Sequence, residues 1–110
     1  MLVVSEVLIA TKITNRYAEA VKEMPGVAAV ELVADDDEVF IVRTYVQPNT
    51  PNRTRDALYG LQRHFQHQHL ELVIDFSVAT LPQVVTNEDG LTAYLAAHPL
   101  FRKVYRRPPP

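Results

Sequence analysis

The sequence predicts an α/β two-layer sandwich, in which helices cover a mixed sheet. Apolar segments rich in β-branched residues alternate with segments of helical period, and the connections between them are short. The chain has 110 residues, of which 47% are hydrophobic, which suffices for one modest core. We therefore expect a single domain over residues 1–110.

The N-terminal segment predicts a strand followed by a helix. Residues 2–12 are rich in Val, Leu and Ile, which favours a strand, although the segment could also begin a helix. Thr14 is a candidate cap for the next helix, which Pro25-Gly26 ends. The apolar positions at helical spacing in this helix are Tyr17, Ala20, Val21 and Met24.

Residues 27–33 and 39–46 predict two strands. Because the loop between them is short, we expect an antiparallel hairpin. The loop is a run of four acidic residues that lacks the glycine and the ligand spacing of a calcium loop, so we interpret it as solvated.

The second half of the chain predicts helix, strand, helix and strand. An apolar stripe formed by Ala57, Leu58, Leu61 and Phe65 indicates a helix over 51–67. Residues 70–78 predict a strand suited to a sheet interior. A short helix over 87–98 and a strand over 100–105 follow, and residues 106–110 form a tail.

The stretch YVQPNTPNRTRDAL, residues 45–58, predicts a rigid corner between a strand and a helix. Thr50 supplies a hydroxyl cap, and Pro51 suits the first helical position because the N–H that it lacks would be unpaired there. Asn49 and Asn52 can hydrogen-bond to nearby backbone. The corner follows the carboxyl end of a strand, where open α/β sheets usually bind ligands.

These residues also resemble those of a known family. The matching pieces, in chain order, are Tyr45-Val46, Asn49-Thr50-Pro51-Asn52, Val73-Ile74-Asp75, Pro82-Gln83, Asn87-Glu88-Asp89 and His98-Pro99. Together they resemble the KaiB family of small clock proteins from cyanobacteria and their relatives, and the related N-terminal sensory domain of the SasA kinase. The resemblance covers residues 39–105.

The resemblance implies a thioredoxin-like core over 39–105, with residues 1–38 as an added strand–helix–strand unit. It implies a non-enzymatic protein-binding module without a cofactor, whose partner is a KaiC-type ATPase or a sensor histidine kinase in clock or signalling regulation. The partner-binding residues that it suggests are Asn49, Thr50, Pro51, Asn52 and Arg53.

A ferredoxin-like βαββαβ domain is the alternative, since the first 79 residues fit that element order. Such a domain would sense a ligand, bind a metal or self-associate. Its metal ligands would be His64, His67 and His69, although their spacing matches no standard zinc pattern. The two folds differ in one strand: 70–78 pairs parallel with 39–46 in a thioredoxin-like sheet, and antiparallel with the N-terminal strand in a ferredoxin-like sheet.

Composition narrows the function classes. The chain has no cysteine, which excludes disulfides and cysteine-ligated metals, and its net charge of −2 gives no reason to expect nucleic acid as a partner. No run reaches the roughly 18 apolar residues of a membrane span. We find no nucleophile or phosphate-binding pattern. We therefore expect a cytoplasmic binding protein that forms homo-oligomers through the edge of its N-terminal hairpin.

Overall fold

The computed structural model describes residues 4–34, 39–68, 72–82 and 102–106. Their elements are α1 (Val4–Val21), β1 (Val27–Ala34), β2 (Phe40–Val46), α2 (Asn52–Gln68), β3 (Ile74–Thr80) and β4 (Arg102–Arg106). The strands form a mixed sheet in the order β3-β2-β1-β4. The predicted α/β class and mixed sheet are confirmed.

The predicted N-terminal strand is wrong, because Val4–Val21 is one continuous helix. Its buried residues recur at helical spacing and are Ala10, Ile13, Thr14, Tyr17, Ala18 and Val21. Thr14 is therefore no cap, and its hydroxyl donates a hydrogen bond to the Ala10 carbonyl at 2.7 Å. Burial along one helical face outweighs the strand propensity of the Val, Leu and Ile residues. The addition over residues 1–38, predicted as strand–helix–strand, therefore contains one helix, α1, followed by one strand, β1, within the described residues.

The predicted hairpin is confirmed, but it does not lie at the sheet edge. β1 pairs antiparallel with β2, with Leu32 opposite Val42, and antiparallel with β4 on its other side. Within the described sheet, β3 and β4 are the edge strands. The expectation that the N-terminal hairpin forms an added sheet edge is therefore wrong. The expected homo-oligomerisation through that edge loses its structural argument.

The pairing of β3 decides between the two predicted sheets. β3 pairs parallel with β2, with Phe76 opposite Val42. Residues 4–12 lie in α1 and offer no strand for β3 to pair with. The ferredoxin-like alternative is therefore wrong. The parallel pair follows from α2, which is long enough to return the chain to the same end of the sheet.

The core lies where α1 and α2 pack on one face of the sheet. It includes Leu32 and Val42 from the two central strands and Leu58 from α2, all fully buried. Tyr17 of α1 also lies in this layer and is likewise fully buried. Its ring contacts Phe65 edge to face at 5.7 Å between centroids.

The hydroxyl of Tyr17 ties three elements together inside this core. It shares a hydrogen bond with the Thr44 hydroxyl of β2, and it accepts one from Nε2 of Gln62 in α2 at 3.0 Å. All three side chains are buried. Because a buried polar group without a partner is costly, this network favours one relative position of α1, β2 and α2.

The Tyr17 hydroxyl predicts a loss of stability at alkaline pH. Burial raises the pKa of Tyr17 above its ordinary value of 10.0, although hydrogen bonds with Gln62 and Thr44 act in the opposite direction. The folded chain therefore retains the proton at a pH where the unfolded chain has lost it. We expect the free energy of unfolding to fall as the pH rises above 10, and the Tyr17→Phe variant to lose less over that range. Urea titrations at about pH 8 and about pH 11 give the decrease in the free energy of unfolding for the parent and for the variant. Equal decreases in the two chains would contradict the assignment to Tyr17.

The remaining predicted elements divide into two groups. The helix predicted over 51–67 and the strand predicted over 100–105 are confirmed as α2 and β4. The strand predicted over 70–78 begins later, at Ile74, and it lies at an edge of the described sheet and not in the predicted interior. The acidic loop and the helix predicted over 87–98 lie outside the described residues.

Among the helices that the structure describes, none has the length and apolar character to cross a membrane.

Candidate partner-binding corner

The corner between β2 and α2 is built by backbone hydrogen bonds around Pro51. The Pro51 carbonyl accepts from the N–H groups of Thr54 at 3.0 Å and Arg55 at 3.2 Å, so α2 begins directly after it. Within the loop, the N–H of Thr50 donates to the Gln47 carbonyl at 3.1 Å. Proline at a helix start sacrifices no internal hydrogen bond, as the sequence predicted.

Thr50 does not cap α2, which corrects the predicted role of its hydroxyl. The hydroxyl donates to the Gln47 carbonyl at 2.6 Å and lies 3.4 Å from the Gly26 carbonyl. Its residue is 7% exposed. Thr50 therefore stabilises the corner through buried hydrogen bonds. It is the one predicted contact residue that a partner cannot reach directly.

Gly26 in the α1–β1 turn supports the corner from beneath. Its carbonyl accepts a hydrogen bond from the N–H of Gln47 at 2.9 Å. Its φ is +89°, and a Cβ there would overlap Oγ1 of Thr50 and lie 2.7 Å from its Cγ2. Only glycine satisfies both conditions without strain. From sequence alone, Gly26 indicated only the end of a helix, and its contact with the corner was missed.

The other predicted contact residues are exposed on the outer surface of the corner: Asn49, Pro51, Asn52 and Arg53. The first turn of α2 contains no acidic residue. Among the residues that the structure describes, the backbone N–H groups of Asn52 and Arg53 donate no hydrogen bond. The exposed corner therefore presents amide donors, a guanidinium and the positive end of a helix dipole.

A groove of about 650 Å³ lies beside the corner, between the α1–β1 turn and the start of α2. Its lining residues are Met24, Pro25, Pro51, Arg53, Thr54 and Ala57. Apolar side chains dominate this surface, and Arg53 supplies the charge. A volume of this size accommodates an apolar side chain of a partner together with its backbone.

A second polar cluster is formed by side chains of β1 and β2. The Tyr45 hydroxyl donates to Oε1 of Glu31 at 2.9 Å, and Nη1 of Arg43 lies 3.5 Å from the same oxygen. Glu31 is fully buried. Burial is the main reason that the pKa of Tyr45 is raised. Glu31 and Arg43 are opposite each other in the β1–β2 register, so this cluster favours that register over a slipped one.

The histidines of α2 do not form a metal site within the described residues. His64 and His67 are exposed on the helix, and His69 lies outside the described residues. His64 contacts the ring of Phe65 at 6.2 Å between centroids. In the parts of the chain that the structure describes, no three metal-ligating side chains come together.

Comparison with known proteins adds no relative. No family model, no curated protein and no solved structure matches the chain.

Proposed function

We propose that this chain is a non-enzymatic protein–protein interaction module resembling KaiB, with a thioredoxin-like core. Two features support the proposal. The first is the Asn-Thr-Pro-Asn corner, which lies at the carboxyl end of β2 in the described fold. The second is the parallel pairing of β2 and β3, the pairing that a thioredoxin-like sheet requires of these strands.

The observation that carries the proposal is the internal anchoring of an exposed corner. Thr50 and Gly26 hold the corner from within, whereas Asn49, Pro51 and Arg53 face outward. A surface that is already ordered in the free protein loses little conformational entropy when it binds. Such a corner suits a protein contact better than a loop that must order on binding.

The partner that the resemblance suggests is a KaiC-type ATPase or a sensor histidine kinase, bound in clock or signalling regulation. We propose that this binding occurs in the cytoplasm and that the module also forms homo-oligomers. The proposed contact residues are Asn49, Thr50, Pro51, Asn52 and Arg53, with Thr50 contributing through its hold on the loop.

Charge reversal at the corner provides the test. We expect Arg53→Glu to weaken binding to a purified KaiC-type ATPase or sensor kinase from the source organism about tenfold, because it places a carboxylate in the contact surface. Biolayer interferometry with the immobilised full chain measures the dissociation constant.

Arg63→Glu is the matched control, because Arg63 is also exposed on α2 but lines a different hollow with Asp56, Tyr59, Gln62 and Gln66. We expect its affinity to stay within about twofold of the parent. If neither protein class binds the parent chain, the proposed function is wrong. If both variants weaken binding equally, the corner is not the contact surface.

A further inference from the structure

The groove beside the corner has an apolar base and a positive end. Met24, Pro25 and Ala57 line it without charge, and Arg53 lines it where α2 begins. The amide donors of the first helical turn lie at the same end, and the dipole of the 17-residue helix adds positive potential there. Apolar and electropositive surfaces are therefore adjacent in one groove.

Two charges outside the groove lining, those of Arg55 and Glu23, favour this polarity, whereas the exposed carboxylate of Asp56 beside Ala57 opposes it. Arg55 is the second basic residue of the first turn of α2, and its Nη2 donates to Oγ1 of Thr80 at 3.2 Å, which holds its charge near the corner. At the other wall, Glu23 immediately precedes Met24 and is exposed. A bound carboxylate is therefore favoured beside Arg53 and disfavoured beside Glu23.

We propose that this groove binds an acidic peptide segment of the partner protein, in which an apolar side chain precedes a carboxylate. The apolar side chain packs between Met24 and Ala57. The carboxylate pairs with Arg53 and accepts hydrogen bonds from the backbone N–H groups of Asn52 and Arg53 at the start of α2. The inference rests on the proposed protein-binding function and specifies the chemistry that the groove selects.

Two synthetic peptides test the proposal against the ¹⁵N-labelled full chain. The first is acetyl-Gly-Ser-Leu-Asp-Glu-Gly-amide, and the second replaces Asp-Glu by Asn-Gln. We expect the acidic peptide to shift the backbone NMR signals of Arg53, Thr54 and Ala57 in a saturable manner. We expect its dissociation constant to be about fivefold lower than that of the amide peptide, as one or two exposed ion pairs allow.

Variants of the chain assign this difference to Arg53. Arg53→Gln should make the two peptides bind equally, whereas Arg63→Gln should preserve the preference. A third peptide, with Ala in place of Leu, should bind more weakly than the first because the groove loses its apolar occupant.

Three results would overturn the proposal: equal binding of the acidic and amide peptides to the parent chain, shifts confined to the hollow around Tyr59, or no shifts up to about 5 mM peptide. Its failure is distinguishable from failure of the proposed function. If the peptides fail but Arg53→Glu still weakens binding of the ATPase or kinase, the corner binds a partner of different chemistry. If neither the ATPase nor the kinase binds the parent chain, the proposed function fails whatever the peptides do.

Discussion

Replacing Tyr17 with alanine is expected to lower the free energy of unfolding by about 3–5 kcal/mol, the range for truncation of a buried aromatic residue. Tyr17 of α1 is fully buried where α1 and α2 pack against the sheet. Its ring lies 5.7 Å from that of Phe65 and 5.2 Å from that of Phe76, so truncation leaves a cavity with lost aromatic contacts on both sides. Urea denaturation followed by circular dichroism measures the change.

Tyr17→Phe separates the ring from its hydroxyl. It retains the aromatic contacts but leaves Nε2 of Gln62 and the Thr44 hydroxyl without their shared partner, so we expect a loss of about 1–2 kcal/mol. A domain of this size has a total stability of about 5–15 kcal/mol, so the alanine variant should lose a large part of it. An alanine loss below about 1 kcal/mol would show that Tyr17 does not lie in a tightly packed core.

The second half of the described fold could be predicted from the sequence because its local signals agree. In α2, the apolar stripe that includes Leu58 and Phe65 coincides with a proline at the helix start. In β2 and β3, mostly apolar segments correctly predicted strands, although β3, predicted for a sheet interior, lies at an edge of the described sheet. Where residue propensity, spacing and turn chemistry indicate the same structure, the prediction is correct.

The N-terminal helix could not be predicted in the same way, because its local signals conflict. Residues such as Val4, Val7 and Ile9 favour strands, and Val4 remains 75% exposed in the helix. What decides the structure is the row from Ala10 to Val21 that packs against the sheet. That packing depends on partners elsewhere in the chain, which a local pattern does not contain.

For the candidate site, the sequence likewise predicted the exposed contact residues but not the internal contacts that hold them in place. Asn49, Pro51 and Arg53 were predicted as contact residues, and all three are exposed. The contact between Thr50 and Gly26 joins residues 24 positions apart, so no short motif indicates it. The Glu31–Arg43 pair did leave a signal, since an acidic and a basic residue interrupt two adjacent apolar strands of a predicted hairpin.

Gly26→Ala is expected to lower the free energy of unfolding by about 2–5 kcal/mol and also to weaken partner binding by the molecules that remain folded. A φ of +89° disfavours a residue with a Cβ by about 1–2 kcal/mol. The new methyl group would also overlap Thr50, whose hydroxyl is held by the Gln47 carbonyl, and overpacking of this kind costs about 1–3 kcal/mol. Urea denaturation and biolayer interferometry measure the two effects on one preparation.

Gly60→Ala is the control, because Gly60 lies in α2 and, beyond its own helix backbone, no atom of the described chain lies within 4 Å of the position that a methyl group would take. The same substitution should there stabilise the chain by about 0.5–1 kcal/mol through helix propensity, and leave partner binding unchanged. Opposite signs for the two variants would assign the loss at position 26 to the turn and its contact with the corner.

The double variant Gly26→Ala/Thr50→Ala distinguishes overlap from backbone strain. Thr50→Ala removes the two atoms nearest to the new methyl group but leaves its own Cβ at 2.8 Å, and the positive φ is unchanged. The combined loss should therefore be smaller than the sum of the single losses, without full recovery. Strict additivity would mean that the two residues do not touch. In that case the turn and the corner would be independent, and the rigid contact surface on which the proposed function depends would lack its internal support.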